Sequence, residues 1–567
     1  MDRRGGAAGR PPFLSAYGVR APAPSSFLLP GPRPRFPLCW PGGRRRRAPS
    51  RAPGPPPPGN GRKRHTANAR TRGGFDLAPE HPTASASGPA DRSTGELFGH
   101  PRGLFVLFFA ELWERFSFYG MRALLVLYMT KALLYADELA NGTYGAYIGF
   151  VYATPLIGGM LADRFLGYRR AILIGGILMS FGHFAMAIEH PVFFFGAMAL
   201  IIAGNGFFKP NISTLVGRLY DRDDPRRDGA FTIFYMGINI GAGLSPLLCG
   251  YLGERIGWHW GFTLAGVGML VGLAVFAAGG RYLGGHGLPP RPEVFRESWS
   301  GFRKIWALYI GIAAFVPFAA YMLTRPAWVQ SGVYIIGPLF VAYIVYEAIR
   351  SPAAERGRLF AILVLILFSI TFWACFEQAG SSINLFTDRH VDRHVFGWEI
   401  PASWFQSVNP AFIILLAIPF SALWIRLGRA GRNPAAPVKF GFGLLQLAAG
   451  FVALVIAAKT IGNGDKAGMI WVMIAYLLHT TGELCLSPVG LSTVTKLSPV
   501  RLVGLMMGVW FLSNAFAGVL SGQIAALTGA EAGYERVFQM IVFFAGGAGL
   551  LLLLLSPLIK RLEHGAE

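Results

Sequence analysis

Apolar residues form long runs separated by short polar breaks from Gly103 to Leu562. A helix that crosses a bilayer needs about 20 mostly apolar residues, and fourteen runs have or approach this length. We expect membrane-spanning helices near residues 103–131, 142–162, 170–189, 191–218, 229–253, 258–280, 303–323, 328–349, 359–386, 403–427, 438–460, 468–494, 502–528 and 536–561. The pattern leaves no room for a separate soluble domain and predicts an all-α polytopic membrane protein.

Positive charges alternate between the polar breaks. The breaks after the second and fourth predicted spans are basic, whereas the first, third and fifth breaks carry few positive charges. Later basic breaks, at 281–304, 350–358 and 426–439, fall on the same side of the membrane. Because basic loops stay in the cytoplasm, we predict that both termini are cytoplasmic.

The overall composition agrees with a membrane protein and places the excess charge in an N-terminal tail. Hydrophobic residues make up 53% of the chain and charged residues 14%, whereas a soluble domain has about 25% charged residues. Residues 1–98 hold 17 Lys/Arg against 5 Asp/Glu, which accounts for 12 of the 22 net positive charges. We expect this Pro- and Arg-rich tail to be disordered; a start assigned too far upstream is the alternative. We expect no nucleic-acid partner, and the four widely spaced cysteines indicate no metal site.

A polar segment between the second and third predicted spans carries a signature. It reads Gly159-Met-Leu-Ala-Asp163-Arg164-Phe-Leu-Gly167-Tyr-Arg169-Arg170 and resembles the loop signature of the major facilitator superfamily. Its glycines let helices approach closely, and its charges can cap helix ends or pair across bundles, so we predict a gating loop. A degenerate counterpart at 425–432 follows the tenth span, as expected of two repeated halves.

This repeat predicts the domain order. Residues 99–283 would form one six-helix bundle, 284–357 a linker with an inserted two-helix hairpin, and 358–567 a second six-helix bundle. The resemblance therefore implies a major facilitator fold with fourteen transmembrane helices. The hairpin contains few ionisable residues at membrane depth, which favours a structural role for it.

The first predicted span contains four charged residues at membrane depth, Glu111, Glu114, Arg115 and Arg122. An ionisable side chain costs at least about 2.5–3.5 kcal/mol at the bilayer centre. Helical spacing places the four on one stripe, which we expect to face a polar cavity. A purely structural cluster of ion pairs is the alternative.

Single ionisable residues also lie on other spans: Lys209 on the fourth, Glu377 on the ninth and Glu483 on the twelfth. Each needs a partner on another helix. A carboxylate released from a cation in a low dielectric takes up a proton more readily, so these groups suffice for proton coupling. Cations on the first half and Glu483 on the second would also suit a zwitterion such as an amino acid or a peptide.

Several polar and aromatic side chains lie within the predicted spans, where each must be satisfied by a neighbouring helix or by a cavity. Either helix packing or contact with a ligand would explain them. Ser487 follows Glu483 by one helical turn and so shares its face. The candidates for the cavity are Tyr152, Asn239, Asn409, Ser487 and Trp510.

Five motifs point to a family. The segment Glu111-Leu-Trp-Glu114-Arg115-Phe-Ser-Phe118-Tyr119-Gly resembles the ExxERFxYYG signature of the proton-dependent oligopeptide transporters. Four further segments match this family in order, at 204–211, 231–241, 372–378 and 482–488. The resemblance extends from about Gly99 to the C-terminus.

The resemblance implies roles for these residues. Glu111, Glu114 and Arg115 would form a coupling cluster that interacts with Lys209, and protonation of Glu377 would break its pair with Arg122. Arg122 and Lys209 would hold the carboxylate of a peptide, and Glu483 with Asn409 its amino group. The residues expected to line the pocket are Tyr119, Tyr152, Asn239, Ser487 and Trp510.

The expected function is proton-coupled symport of di- and tripeptides into the cytoplasm by alternating access. We expect a functional monomer with protons as the coupling ion, no other cofactor and no enzymatic activity. The alternative is a same-fold transporter of another small solute, such as nitrate, another anion or an amino acid, although Glu483 would repel an anion. Phe118 departs from the signature, since it replaces the first tyrosine and removes a hydroxyl expected beside the pocket.

Overall fold

The computed structural model of the protein describes residues 95–221, 223–295, 297–299, 302–461, 465–529 and 533–563. The tail predicted to be disordered covers residues 1–98; residues 1–94 lie outside the described residues, and Glu96–Leu97 form a short strand. Within these ranges the backbone forms fifteen α-helices. They are α1 (Arg102–Lys131), α2 (Asp137–Leu161), α3 (Tyr168–Met186), α4 (Pro191–Arg218), α5 (Arg227–Tyr251), α6 (Trp258–Gly279), α7 (Lys304–Leu323), α8 (Pro326–Arg350), α9 (Ala353–Phe376), α10 (Ser382–His390), α11 (Val408–Arg429), α12 (Ala436–Thr460), α13 (Met469–Leu497), α14 (Val503–Ala526) and α15 (Gly533–Leu562).

In the described residues, short strands occur before α1 and in the connections between later helices. Each has two residues, and three of the four pairs are antiparallel hairpins, while β5 pairs with β8 in parallel. The strands are β1 (Glu96–Leu97), β2 (His100–Pro101), β3 (Ser298–Trp299), β4 (Phe302–Arg303), β5 (Val391–Asp392), β6 (His394–Val395), β7 (Trp398–Glu399) and β8 (Ala467–Gly468).

Twelve spans in the described residues are long and apolar enough to cross a membrane. They comprise α2, α4 to α8, α9 together with α10, and α11 to α15. The two other long helices are α1, which carries the buried charges and packs against α5 and α6, and α3, which packs against α4. The protein is therefore a multi-pass membrane protein.

The helices form two halves, each with its own hydrophobic core. The core of the first half, α1 to α6, contains Tyr128 and Phe208, and that of the second, α9 to α15, contains Phe440 and Phe451. The halves meet where α2 packs against α14 and α5 against α11. The inserted hairpin contacts both halves, since α7 packs on α4 and α8 on α9. This all-α architecture is the one predicted from the hydropathy pattern.

The ninth predicted span, 359–386, is not one continuous helix. α9 ends at Phe376, a 3₁₀ turn covers Glu377–Gly380, and α10 begins at Ser382. At this turn the chain passes close to α2, because a Cβ atom on Gly380 would lie 2.0 Å from the hydroxyl oxygen of Tyr144. Glycine allows this approach, and the turn places Glu377 against the first half.

The second predicted span also ends differently. The backbone continues beyond α2 through a π-helical turn at Ala162–Leu166, so most of the predicted gating loop is helical. Gly167 ends the helix with a φ of 72°, and a Cβ atom there would lie 2.6 Å from the backbone of Leu288. Both the left-handed conformation and the close approach favour glycine. α5 ends in a similar π-helical turn, at Leu252–Ile256.

Candidate functional site

The charged stripe of α1 lies inside the protein. Arg115 Nε lies 3.2 Å from an oxygen of Glu111 and also pairs with Glu114, and all three side chains are almost completely buried. The stripe was expected to face a polar cavity, but of its four charged residues only Arg122 lines the cavity between the halves, together with the neighbouring Tyr119. Glu111, Glu114 and Arg115 instead form an ion-pair cluster among packed helices, which we call the α1 cluster.

α4 provides two polar residues near the α1 cluster. The side-chain amide of Asn205 donates a hydrogen bond to Glu114 Oε1 at 3.3 Å. Lys209, one turn later, lies with Nζ 4.4 Å from the centre of the Tyr152 ring. In the described part of the chain no carboxylate lies within 4.0 Å of Lys209, so its expected interaction with the cluster is not a direct ion pair here.

Phe118 lies beside the α1 cluster rather than beside the cavity. Its ring is 5.5 Å from the Arg115 guanidinium and is stacked on Tyr147 at 6.4 Å between ring centres. It is not among the residues that line the cavity. The hydroxyl missing at this position would therefore affect the α1 cluster, not the pocket as the sequence suggested.

Arg122 and Glu377 join the two halves in a buried ion pair. Arg122 Nη2 donates to Glu377 Oε2 at 2.5 Å, and Arg122 Nε donates to the hydroxyl of Tyr144 at 2.8 Å. The same hydroxyl donates to Glu377 Oε2 at 3.4 Å. The structure thus brings together the two residues that the resemblance paired, and it adds Tyr144, which the sequence analysis did not select.

A cavity of about 160 Å³ lies between the halves. It is lined by six of the nine residues proposed for substrate binding, which are Tyr119, Arg122, Tyr152, Asn239, Asn409 and Glu483. The sequence analysis gave no role to several further lining residues, although four of them stand within its family motifs, at 231–241 and 372–378. The aromatic members of this group are Tyr235, Trp373, Phe376 and Tyr476.

The second half contributes an acidic group to the cavity wall. The amide of Asn409 donates hydrogen bonds of 3.0 Å to Glu483 Oε2 and to Thr480 Oγ1. Glu483 is nevertheless 9% exposed and lines the cavity. The wall therefore carries an acceptor on α13 and a guanidinium, that of Arg122, on α1.

Lys209, Ser487 and Trp510 do not line this cavity. The hydroxyl of Ser487 is buried and has no hydrogen-bond partner among the described residues. Trp510 packs against Phe440 at 6.5 Å between ring centres. Ser487 lies on α13, which lines the cavity at Tyr476 and Glu483, whereas α4 with Lys209 and α14 with Trp510 contribute no lining residue.

The predicted gating loop contacts the linker that follows α6. Arg169 donates to the backbone oxygens of His286, at 2.7 Å, and Gly284, and Arg170 lies 4.0 Å from the ring centre of Phe295. Asp163 accepts a hydrogen bond of 2.7 Å from Tyr168 within the loop. These contacts lie within the first half and its linker, whereas the sequence suggested pairing between the bundles. Gly159 only makes ordinary contact with Pro210 of α4, and Arg164 is exposed.

At one end of the protein, ion pairs connect the loops and helix termini of the two halves. The nitrogen-to-oxygen distances are 2.6 Å for Lys131 and Asp388, 2.6 Å for Arg389 and Asp137, and 3.2 Å for Arg255 and Glu399. We call this the closed end. The opposite end, where α4, α11 and α13 finish in basic residues and the segment between α2 and α3 is basic, is the basic end. These basic residues are Arg164, Arg169, Arg170, Arg218, Arg426, Arg429 and Lys496.

The fold and the site define a polytopic membrane transporter with a charged cavity between two helical halves. The family model described as "POT family" matches residues 169–538. The uncharacterized transporter YclF of Bacillus subtilis is 40% identical over 479 residues, which cover 82% of this chain and 96% of that protein. The peptide transporter YePEPT of Yersinia enterocolitica is 38% identical over 498 residues, which cover 83% and 96%.

The comparison with solved structures gives the same result. A crystal structure of a mutant of the peptide transporter POT in complex with alafosfalin has a TM-score of 0.74 and 38% sequence identity to this chain. The match covers 83% of this chain and 97% of that one. This chain belongs to the POT family, as its motifs predicted.

Proposed function

We propose that this protein is a proton-coupled symporter that imports di- and tripeptides across the inner membrane of a bacterium. The observation that carries the proposal is the cavity between the halves, with the guanidinium of Arg122 on one wall and the carboxylate of Glu483 on the other. YePEPT, a relative that matches most of the chain, is named a peptide transporter.

The two charged walls suit the two ends of a peptide. Arg122 would bind the terminal carboxylate, because charge-assisted hydrogen bonds to a guanidinium are strong and directional. Glu483, held by Asn409, would accept hydrogen bonds from the terminal ammonium group. Side chains of the peptide would contact the aromatic wall of Tyr119, Tyr152, Tyr235, Trp373 and Phe376, so that recognition of the two ends permits many side chains. Glu483 disfavours an anion such as nitrate as the substrate.

Proton coupling follows from the sharing of Arg122. The guanidinium is paired with Glu377 at 2.5 Å, so a peptide carboxylate must compete with this glutamate. Protonation of Glu377 removes its negative charge and releases Arg122 for the peptide. It also breaks a buried ion pair between the two halves, which weakens their association beside the cavity.

The α1 cluster would provide a second protonation site, and the two carboxylates differ in their hydrogen bonding. Glu114 uses both oxygens, one toward Arg115 and one toward Asn205. Glu111 uses only Oε1 toward Arg115, while its Oε2 has no hydrogen-bond partner among the described residues. A proton on Glu111 disturbs fewer contacts, so we assign the exchangeable proton of this cluster to Glu111.

Alternating access would move the halves about this site. The basic end faces the cytoplasm by the positive-inside rule, so the closed end faces outward. Protons and peptide enter when the closed end opens, and the Arg122–Glu377 pair reforms after their release inside. A membrane potential adds about 2.3 kcal/mol per charge per 100 mV to this import. Since one chain contains both walls of the cavity, we expect the monomer to be functional.

The proposal is tested by uptake of labelled dialanine into proteoliposomes under an imposed inward proton gradient, with and without an uncoupler. The parent should accumulate the peptide only when the gradient is present. Glu377→Gln should lose gradient-driven accumulation but retain counterflow exchange, because the neutral amide imitates the protonated state. If a folded parent takes up no short peptide, the peptide proposal is wrong; if it accumulates peptide without a gradient, the proton proposal is wrong.

A further inference from the structure

A cavity larger than the one between the halves lies away from that site. It is a groove of about 590 Å³ between α2, α4 and the first helix of the inserted hairpin, α7. Its lining is apolar and includes Ile157, Phe165, Phe207, Leu308 and Phe315. We call it the α7 groove.

The lining of the α7 groove favours an apolar ligand. Thr154 is its single polar side chain, and its hydroxyl already donates to the backbone oxygens of Phe150 and Ile202 at 3.0 and 3.1 Å. A water molecule in a cavity needs several polar partners, which this lining does not offer. A hydrocarbon chain needs no polar partner and therefore suits this apolar lining.

The surroundings identify the source of such a chain. In the most apolar window of α7 only 6% of the residues are buried within the protein, and Ile310 and Phe318 are about half exposed. This helix therefore lies against the hydrocarbon of the bilayer. Membrane lipid is the apolar material with direct access to the groove.

The length of the groove matches one leaflet. Its lining runs along α2 and the following π-helical turn from Thr154 to Phe165, and along α7 from Ile305 to Phe315. At a rise of 1.5 Å per residue these segments are about 15–16 Å long, which is about half of the 30 Å hydrocarbon core. The groove thus extends from the basic end to about the middle of the membrane, as a single acyl chain does.

Two arginines are close in sequence to lining residues at the basic end, where the headgroup of such a lipid would lie. Arg164 precedes the lining residue Phe165, and Arg303 lies two positions before the lining residue Ile305. Both side chains are exposed, and in the described parts of the chain neither has an ion pair. Basic residues at the cytoplasmic surface attract anionic lipids. We propose that the α7 groove holds one acyl chain of an anionic phospholipid whose headgroup is bound by Arg164 and Arg303.

A bound lipid would act as part of the contact between the hairpin and the first half. α7 contacts α4 in the first half, and α8 contacts α9 in the second. The hairpin must therefore adjust whenever the halves move. An acyl chain can fill the space beside α7 in each conformation, because it is flexible where a protein side chain is not.

The hairpin offers a matched pair of glycines for a test. Gly311 on α7 lines the groove, and a Cβ atom there would meet no atom within 4 Å. Gly332 on α8 is equally open but does not line the groove. Gly311→Leu should fill the groove without a clash, and Gly332→Leu makes the same chemical change outside it.

The experiment uses the full chain in lipid nanodiscs that contain phosphatidylglycerol with a photoactivatable diazirine on its acyl chain. Cross-linked peptides are identified by mass spectrometry. In the parent and in Gly332→Leu, labelling should concentrate on 154–165 and 305–315. In Gly311→Leu, labelling of these segments should fall by about tenfold, because the new side chain occupies the space of the lipid.

A second variant tests the headgroup independently of the groove volume. In the parent, unlabelled phosphatidylglycerol should reduce labelling by the photoactivatable lipid more than phosphatidylcholine does. In the double variant Arg164→Gln with Arg303→Gln, the groove should still be labelled, but the two unlabelled lipids should compete equally. Equal labelling in Gly311→Leu and the parent, or labelling spread evenly around α7, would overturn the proposal. Competition by free oleate but not by phosphatidylglycerol would overturn the assignment to a phospholipid. Unfolding temperatures of the variants establish that each is folded.

Discussion

Asn205 and Lys209 are one helical turn apart on α4, yet they approach the charges of α1 in different ways. Asn205 donates directly to Glu114, whereas Lys209 is held against the ring of Tyr152. Asn205 is completely buried, so its amide cannot exchange this partner for bulk water. It therefore fixes one oxygen of Glu114 and leaves Glu111 as the less constrained carboxylate.

Asn205→Leu should lower stability and impair proton coupling. The substitution leaves an oxygen of Glu114 buried without its donor, which costs about 1–3 kcal/mol. Glu114 can then compete with Glu111 for the proton, so gradient-driven uptake of dialanine should fall more than counterflow exchange. The measurements are thermal unfolding in detergent and both transport assays over a range of pH.

Asn211 provides the control for this substitution. It is equally buried on α4, but its amide donates only to the backbone oxygen of Phe207 in its own helix, at 2.7 Å. Asn211→Leu should lower stability without a shift of the pH profile. If the two variants reduce driven uptake and counterflow in the same proportion, the positioning role of Asn205 is wrong.

At the scale of the elements, the interruption between α9 and α10 creates the contact between the halves. A continuous helix over 359–386 would direct the residues after Phe376 along the axis of α9. The 3₁₀ turn at Glu377–Gly380 instead brings Glu377 to Arg122 and Tyr144. The close approach of Gly380 to Tyr144 makes the turn dependent on the absence of a side chain at this position.

Gly380→Ala should reduce driven uptake of dialanine by about 10- to 100-fold. Its Cβ atom would lie 2.0 Å from the hydroxyl of Tyr144 and 3.2 Å from Arg122 Nη2, so the hydroxyl must move. The loss of hydrogen bonds to charged groups costs about 1.5–3 kcal/mol, which corresponds to this range. The measurement is the initial rate of uptake at equal amounts of folded protein.

Gly428→Ala on α11 is the matched control, since a Cβ atom there would meet nothing within 4 Å. It should transport at the rate of the parent. Equal rates for Gly380→Ala and Gly428→Ala would show that the contact between the turn and Tyr144 has no functional role.

At the scale of the whole molecule, ion pairs at the closed end hold the halves together. Arg389 binds both oxygens of Asp137, at 2.6 and 2.8 Å. Burial raises the pKa of Glu399, but the guanidiniums of Arg393 and Arg255 outweigh it and hold this pKa below its ordinary value. The pairs of Glu399 are therefore fully present above that ordinary value and are lost only as the pH falls through the lowered pKa. Mild acid thus does not open these pairs.

Removal of either Asp137 or Arg389 should increase the fraction of molecules in which the two halves are separated at the closed end. A partly exposed ion pair contributes about 0–1 kcal/mol, so Asp137→Asn or Arg389→Gln should change the ratio of open to closed molecules by up to about fivefold. Spin labels at Leu134 and His394, exposed residues on opposite halves, report this ratio as a distance distribution.

The charge reversal Asp137→Arg with Arg389→Asp is the control and should restore the distribution of the parent. A distribution that is unchanged in both single variants would mean that this pair does not hold the halves together.

The sequence alone determined the helices, the family and most of the residues at the centre of the protein. Long apolar runs form helices in a bilayer because every backbone group must be hydrogen-bonded within its own segment. Charges within those runs are costly, so they identify the central residues before any contact is known. The pair of Arg122 and Glu377 was selected in this way or through the family motifs, as were nine substrate-binding residues, of which six line the cavity.

Only the tertiary structure decided which side chains meet. Helices of this protein touch other helices on one side and lipid on another, so apolar residues surround them and the pattern does not identify the face toward a neighbour. The sequence therefore could not place Tyr144 on the Arg122–Glu377 pair or Asn205 on Glu114. It also could not place Phe118 away from the cavity or predict the helix break at Glu377. These features depend on how the helices rotate and cross, which is determined by packing among segments that are distant in the sequence.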